Sequence, residues 1–298
     1  MGRRLDLALS ILNGAVGQYL AQTDNGLATP MALFASGHPL VLDPTSLRTQ
    51  LPTAASCVVV LVHGLMATEH SWSFPDASDY GSMLERDLSL TPLYVRYNTG
   101  RAISDNGSAL ASLLQQLFVA YPRPVEEIVL LGHSMGGLVI RSACHVASEA
   151  GHRWITKVRR AVYLGTPHVG APLERVGKVV TKVLASINDP YTRLIADIAR
   201  FRSDGIKDLG HGDLGLRNAA HPVPLLEGIR HCLIAGSVSE QRLWTSLFGD
   251  AMVSVASATY GARAIDQVHL VPGVGHVALA HHADVYREIL AFCRQPAP

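Results

Sequence analysis

Residues 130–140 read LLGHSMGGLVI, and they place a single serine, Ser134, between two apolar runs, with glycines at 132, 136 and 137. The run before it, EIVLLGHS, has the aliphatic content of a buried strand, and the run after it, from Met135 to about Ala150, has helical periodicity. A Gly-x-Ser-x-Gly pattern arises by chance in roughly one chain in ten of this length, so its setting decides. Here a strand turns into a helix at the serine. Residues without side chains stand where the backbone must bend sharply and where helix and strand must approach closely. The pattern predicts a turn too tight for larger residues, with the Ser134 hydroxyl pushed outward to react as a nucleophile.

The same rhythm extends in both directions. CVVVLVHGL from Cys57, PLYVRY at 92–97, RRAVYLGTP, HCLIAGSV at 231–238 and DQVHLVPG read as further strands. Helical patterns run from about Ile103 to Tyr121 and from about Val277 to Cys293. Apolar runs buried on both faces and separated by helices predict an α/β fold, a mostly parallel central sheet with helices on both faces. Ahead of it, Leu5, Leu9, Leu12, Val16, Tyr19 and Leu20 recur at helical spacing, and PMALFASGHPLVLD reads as two short strands around a Ser-Gly turn. Between VYLGTP and HCLIAG lie roughly 65 residues where a crossover of about a dozen would serve. Two apolar stripes occur there, Val176, Val179, Val180, Val183, Leu184 and Ile187, then Tyr191, Leu194, Ile195 and Ile198. They read either as two helices packed on the sheet or as a cap over the strand ends. The expected organisation is thus residues 1–56 as a helix and short strands packed on the core, 57–170 and 229–298 as the core, and 171–228 as a helical cap inserted after the fourth core strand.

Composition narrows the partners. The chain has 298 residues, 48% hydrophobic and 16% charged, with a formal charge of +1, so it is globular and carries no electrostatic footprint for nucleic acid. A small or apolar substrate is expected. The four cysteines, Cys57, Cys144, Cys232 and Cys293, form no CxxC pair, which argues against a zinc cluster and for reduced thiols. MGRRLDLALSILNGAVG imitates a secretory signal, but Asp6 and the helical stripe favour a retained helix and a cytoplasmic protein, with secretion as the alternative. Asp6 at the sixth position also excludes myristoylation. No run of 18 apolar residues is present to span a membrane.

A serine hydroxyl needs a base, and the base needs an orienting acid. On a sheet of this kind the partners follow in the order serine, acid, histidine. Of the 14 histidines, His276 stands in VPGVGH, a loop leaving the last strand at its C-terminal end, where ligands meet open α/β sheets. It is the candidate base. His63, His133 and His168 read as hydrogen-bonded loop formers. For the acid, the segment 231–276 offers Glu240, Asp250 and Asp266; Asp266 precedes the last strand and so belongs at the wrong end of the sheet. Asp250, in GDAMVSVASA, is the candidate, although a lone loop aspartate also reads as a turn former or helix cap. Backbone donors for a developing oxyanion are expected from Met135, directly after the serine, and from Leu65 in VHGL. GVGHVA matches a dinucleotide fingerprint, but that reading needs another parallel strand and an acidic residue about 20 positions on. One helix follows instead, so that reading is rejected; a serine, a base and water suffice for acyl transfer, so no cofactor and no metal is expected.

With these residues in place, the chain resembles the α/β-hydrolase superfamily, in its bacterial triacylglycerol lipase and esterase group, and it is similar to the hydrolase domain of GPI inositol-deacylase-like proteins. LVHGL, GHSMGG, LGTPHVGAPL, GDAMVSVASA and GVGHVAL carry the likeness in order across residues 57–280. The resemblance implies Ser134 as nucleophile, Asp250 as acid, His276 as base, and Leu65 and Met135 as the oxyanion hole. It also implies hydrolysis of carboxylic esters with an apolar acyl or alcohol part through an acyl-enzyme, with peripheral lipid contact through the cap. The same triad would serve a thioesterase or acyltransferase, and a non-catalytic small-molecule binding protein is the alternative of another class.

Overall fold

A run such as Val58–Val62 has no polar side to offer to water, so both its faces must be covered. In the computed structural model, which describes residues 3–170, 204–211, 224–237, 253–259 and 266–296, all five of these residues are 0–1% exposed. Val58, Val60 and Val62 belong to one apolar core, and Val59 and Leu61 to a second on the opposite face. Burying each contributes roughly 2 kcal/mol, and the alternation divides that gain between two layers of helices.

Among the described residues, eight strands form one sheet: β1 (Ala32–Ala35), β2 (His38–Pro39), β3 (Cys57–Val62), β4 (Thr91–Arg96), β5 (Glu127–His133), β6 (Val158–Leu164), β7 (Arg230–Ser237) and β8 (Gln267–Pro272). Their spatial order is β2-β1-β4-β3-β5-β6-β7-β8. From β4 through β8 all pairings are parallel, whereas β1 pairs antiparallel with β4 and β2 with β1. The two short strands therefore extend the sheet at its edge. The helices are α1 (Arg3–Gln22), α2 (Pro44–Gln50), α3 (Tyr80–Leu88), α4 (Ile103–Ala120), α5 (Met135–Glu149), α6 (Asp204–His211), α7 (Val255–Ala258) and α8 (Ala283–Arg294). Side chains of α2, α4 and α5 share the first core, those of α3 and α8 the second. The four cysteines are free.

Two expectations are corrected here, and two short helices are added. The helix predicted from about Val277 to Cys293 is a short 3-10 turn, Val277–Ala280, followed by α8; His282 sits between them and caps α8 by accepting from the Asp284 N–H at 3.2 Å. Buried Tyr80 holds the bend, donating to the carbonyls of Leu279 and His282 at 2.9 and 3.0 Å and accepting from the His282 N–H at 2.8 Å. The short helices α2 and α3 carry no apolar stripe long enough to read and start instead at Asp43 and Asp79, whose carboxylates accept from the first free backbone N–H groups. Finally, the face α1 buries only partly coincides with the stripe its leucines suggest: Leu20 is buried and Val16 packs on the first core, beside fully buried Ile11 and Ala15. Leu5 is 48% and Tyr19 65% exposed, while Asp6, Ser10, Asn13, Gly14 and Gly17 face inward. Asn13 explains part of this: its side chain donates to Leu27 O and accepts from the Thr29 N–H at 2.9 and 2.8 Å, so the helix docks on polar turns.

The two stripes at 176–187 and 191–198, and with them most of the expected cap, lie outside the described residues. Of that interval, α6 is seen against α4: Asp208 accepts from the Ile103 N–H at 2.9 Å, a cap for a helix whose own N-cap residue, Ala102, has no oxygen to offer.

Candidate active site

The strand order brings the first two parts of the site together. The chain runs from β3 to β4 on one side and then crosses to β5 on the other, so the loops leaving β3 and β5 open onto a crevice at the C-terminal end of the sheet. Val62 pairs with Gly132, which sets the two loops level. A Cβ on Gly64 would stand 3.0 Å from Ser134 Cβ, so the loop after β3 touches the serine.

Ser134 has φ +54° and ψ −124°, a backbone state that L-residues avoid at a cost of about 1–3 kcal/mol. It is held there on both sides: its N–H donates to Leu164 O at 2.8 Å, and its carbonyl accepts from the Gly137 N–H at 3.1 Å. The neighbouring glycines are explained by what a side chain would strike. At Gly136 a Cβ would run into the carbonyls of Val62 and His63, at Gly137 into Thr166, and at Gly132 it would lie 2.7 Å from Gly137 Cα. These are contacts of β3, β5 and β6 with α5, so the glycines let the helix start against the sheet.

His276 arrives from β8, three strands away, or about 14 Å at the usual strand spacing. His276 is 6% exposed, and its Nε2 lies 2.9 Å from Ser134 Oγ. His133 supports the loop: its Nε2–H donates to His276 O at 3.0 Å, and its ring packs 5.1 Å from the imidazole and edge-on to Trp72. The hydrogen bond agrees with the reading of His133 as a hydrogen-bonded loop former, but nothing in its spacing names His276 O as the partner.

Of the two expected oxyanion donors, Met135 is the first residue of α5, so its N–H has no acceptor within the helix. The Leu65 N–H finds no acceptor among the described residues. Asp250 and the alternative Glu240 lie outside the described residues. The segment after Asp250 returns at α7, where Ser257 Oγ donates to Gly170 O at 2.8 Å and Ser257 O accepts from the His168 N–H at 3.1 Å. Buried Arg141 of α5 donates to His168 Nδ1 and to its carbonyl at 3.0 and 3.2 Å, tying the TPHVG loop to the helix that begins at the serine.

His63 and His168 are both fully buried. His63 stacks on Tyr97 at 4.6 Å and contacts Gly64 O through Nδ1 at 2.9 Å, which makes Nδ1 the protonated nitrogen. Burial pushes the His63 pKa down to about 4, and burial together with the Arg141 charge takes His168 well below its ordinary value. Neither is built to take up a proton at neutral pH. The unfolded chain binds protons at these sites from about pH 6.5 downward, while the folded chain resists until its lowered values are reached. Urea denaturation should therefore show full stability above pH 6.5 and a loss of about 3 kcal/mol from His63 alone between pH 6.5 and 4. Stability that is flat or rises on acidification through this window contradicts the assignment.

Residues 94–258, just over half the chain, match the family model described as PGAP1-like alpha/beta domain. No curated protein matches the chain. The mature form of the Bacillus licheniformis lipase BlEst2 superposes with a TM-score of 0.53 at 19% identity, covering 88% of this chain and 99% of that one. An alpha/beta hydrolase fold protein from Chitinophaga pinensis superposes with a TM-score of 0.50 at 9% identity, covering 90% and 98%. At these identities the likeness establishes a common fold.

Proposed function

The chain belongs to the PGAP1-like alpha/beta domain family, has the α/β-hydrolase fold, and on that premise we propose that it is a serine hydrolase of carboxylic esters with an apolar acyl or alcohol part. The observation that carries this reading is the 2.9 Å approach of His276 Nε2 to the hydroxyl of a serine on a strained strand-to-helix turn. In the proposed reaction Ser134 Oγ attacks the ester carbonyl as its proton passes to Nε2 of neutral His276. The carbonyl oxygen takes the negative charge and accepts from the Leu65 and Met135 N–H groups. Collapse breaks the ester C–O bond, and His276 returns the proton to the departing alcohol. Water, deprotonated by the same nitrogen, then attacks the acyl-serine; the acyl C–Oγ bond breaks, His276 returns the proton to Ser134 Oγ, and the acid leaves. Asp250 is assigned to His276 Nδ1–H, where its carboxylate would hold the ring in the required tautomer and stabilise the imidazolium. The 171–228 segment is assigned as the cap that covers the apolar part of the substrate. No helix among the described residues is long and apolar enough to cross a membrane.

The acyl-enzyme sets the test. With p-nitrophenyl esters of graded acyl length, rapid mixing should release an initial burst of about one p-nitrophenol per chain before the steady state, and a fluorophosphonate probe should label Ser134 alone. Absence of labelling at Ser134 in the folded protein returns the chain to the class of binding proteins.

A further inference from the structure

The loop after β3 makes a turn that its sequence disfavours. Ala67 N–H donates to Gly64 O at 3.3 Å, closing a four-residue turn in which Met66 occupies the third position with φ +57°. That position of such a turn normally takes glycine or asparagine, because a Cβ crowds the backbone there. Met66 is neither, yet it is 2% exposed and held at three points. Its N–H donates to Thr99 Oγ1 at 3.1 Å. Its carbonyl accepts from Ser10 Oγ at 3.0 Å, a hydroxyl proton shared with Leu7 O at 2.8 Å. Its side chain fills the space over Gly14, where a Cβ would meet Met66 Cγ directly and Thr99 Oγ1 at 3.2 Å.

Ser10 and Gly14 lie one turn apart on the inward face of α1, the face that the leucine pattern marks only in part. The same face is anchored beside them. Asn98 donates to Gly17 O at 2.9 Å, and Asp6 pairs with Arg96, which also forks onto Glu69 in the segment following the turn. The turn therefore has its own neighbours on one side in Ser134 and on the other in α1, and the Leu65 N–H precedes the clamped Met66 peptide directly.

We propose that Ser10 and Thr99 are positioning residues for the oxyanion hole: by gripping both backbone polar groups of Met66 they hold the turn in its left-handed form and so aim the Leu65 N–H beside Ser134. This rests on the ester-hydrolase reading above, and it makes α1 a working part of the site rather than an appendage to the sheet. Neither residue would touch substrate. Their effect belongs to the transition state, where the oxygen is charged, and hardly to the bound ester, where it is not.

Removing one oxyanion donor outright lowers kcat by about 100- to 1,000-fold, so loosening one should cost about 10- to 100-fold. Thr99→Val, which keeps the shape and deletes the acceptor, and Ser10→Ala are expected to lower kcat by that factor with KM changed by less than about threefold. Affinity for a trifluoromethyl ketone, whose serine adduct carries the oxyanion, should fall in step with kcat, and Thr99→Ser should restore most of both. Should Thr99→Val fail to fold, Ser10→Ala and Thr99→Ser decide the matter by the same two readouts. Unchanged kcat in the folded variants, or lost kcat with ketone affinity intact, overturns the proposal. Ser134→Ala in the same series separates the two levels: an inactive serine variant beside a fully active Thr99→Val sinks this inference alone, whereas an active serine variant sinks the reading of the site.

Discussion

Ser134→Ala is expected to lower kcat for a short p-nitrophenyl ester by about 10⁴- to 10⁶-fold, with KM and the melting temperature close to those of the parent protein. The asymmetry follows from what the substitution removes. Alanine keeps the Cβ that rests on Gly64 and keeps the backbone bonds to Leu164 O and from the Gly137 N–H, so the turn retains its supports and its strain. What disappears is the oxygen 2.9 Å from His276 Nε2. Water then has to attack without a covalent intermediate, and only the residual help of oxyanion donors and substrate binding remains. Initial rates on purified protein, set beside a thermal melt, check both halves. Activity that persists undiminished in the folded variant removes Ser134 from the chemistry.

Asp250→Asn should be nearly as severe, about 10⁴-fold in kcat, because an amide facing the imidazole permits the wrong tautomer and cannot stabilise the imidazolium. Glu240→Gln and Asp266→Asn are expected to stay within about tenfold. Asp266 directly precedes β8 and so lies at the N-terminal edge of the sheet, remote from the loop that delivers His276. Measuring the three variants at several pH values distinguishes the roles, since a carboxylate that supports the base alters the acid limb of the rate profile as well as its height. A large loss in Glu240→Gln with Asp250→Asn active would reassign the acid.

Much of this arrangement is written in the amino-acid sequence. The strand-to-helix turn at Ser134 was legible because its glycines have a steric reason that leaves a mark in one dimension: only Gly fits against the Val62 and His63 carbonyls. His276 was legible from its place just after the last strand. The inward face of α1 was legible only in part, because Asp6, Ser10, Asn13, Gly14 and Gly17 are buried by specific polar partners and close backbone approach, while periodicity registers hydrophobic burial alone. His133 was legible as a hydrogen-bonded loop former, but its partner, a carbonyl 143 positions away, was not.

By itself the amino-acid sequence determined which segments must be covered on both faces, hence a parallel α/β sheet, and where helix and strand would approach too closely for any residue but glycine. These are local demands, met or unmet within a few neighbouring residues. The order of the strands, the return of His276 past β7 and β6 to Ser134, and the grip of α1 on Met66 were decided only in the tertiary structure. Each joins groups far apart in the chain, and such contacts depend on how layers pack, which no stretch of neighbouring residues encodes.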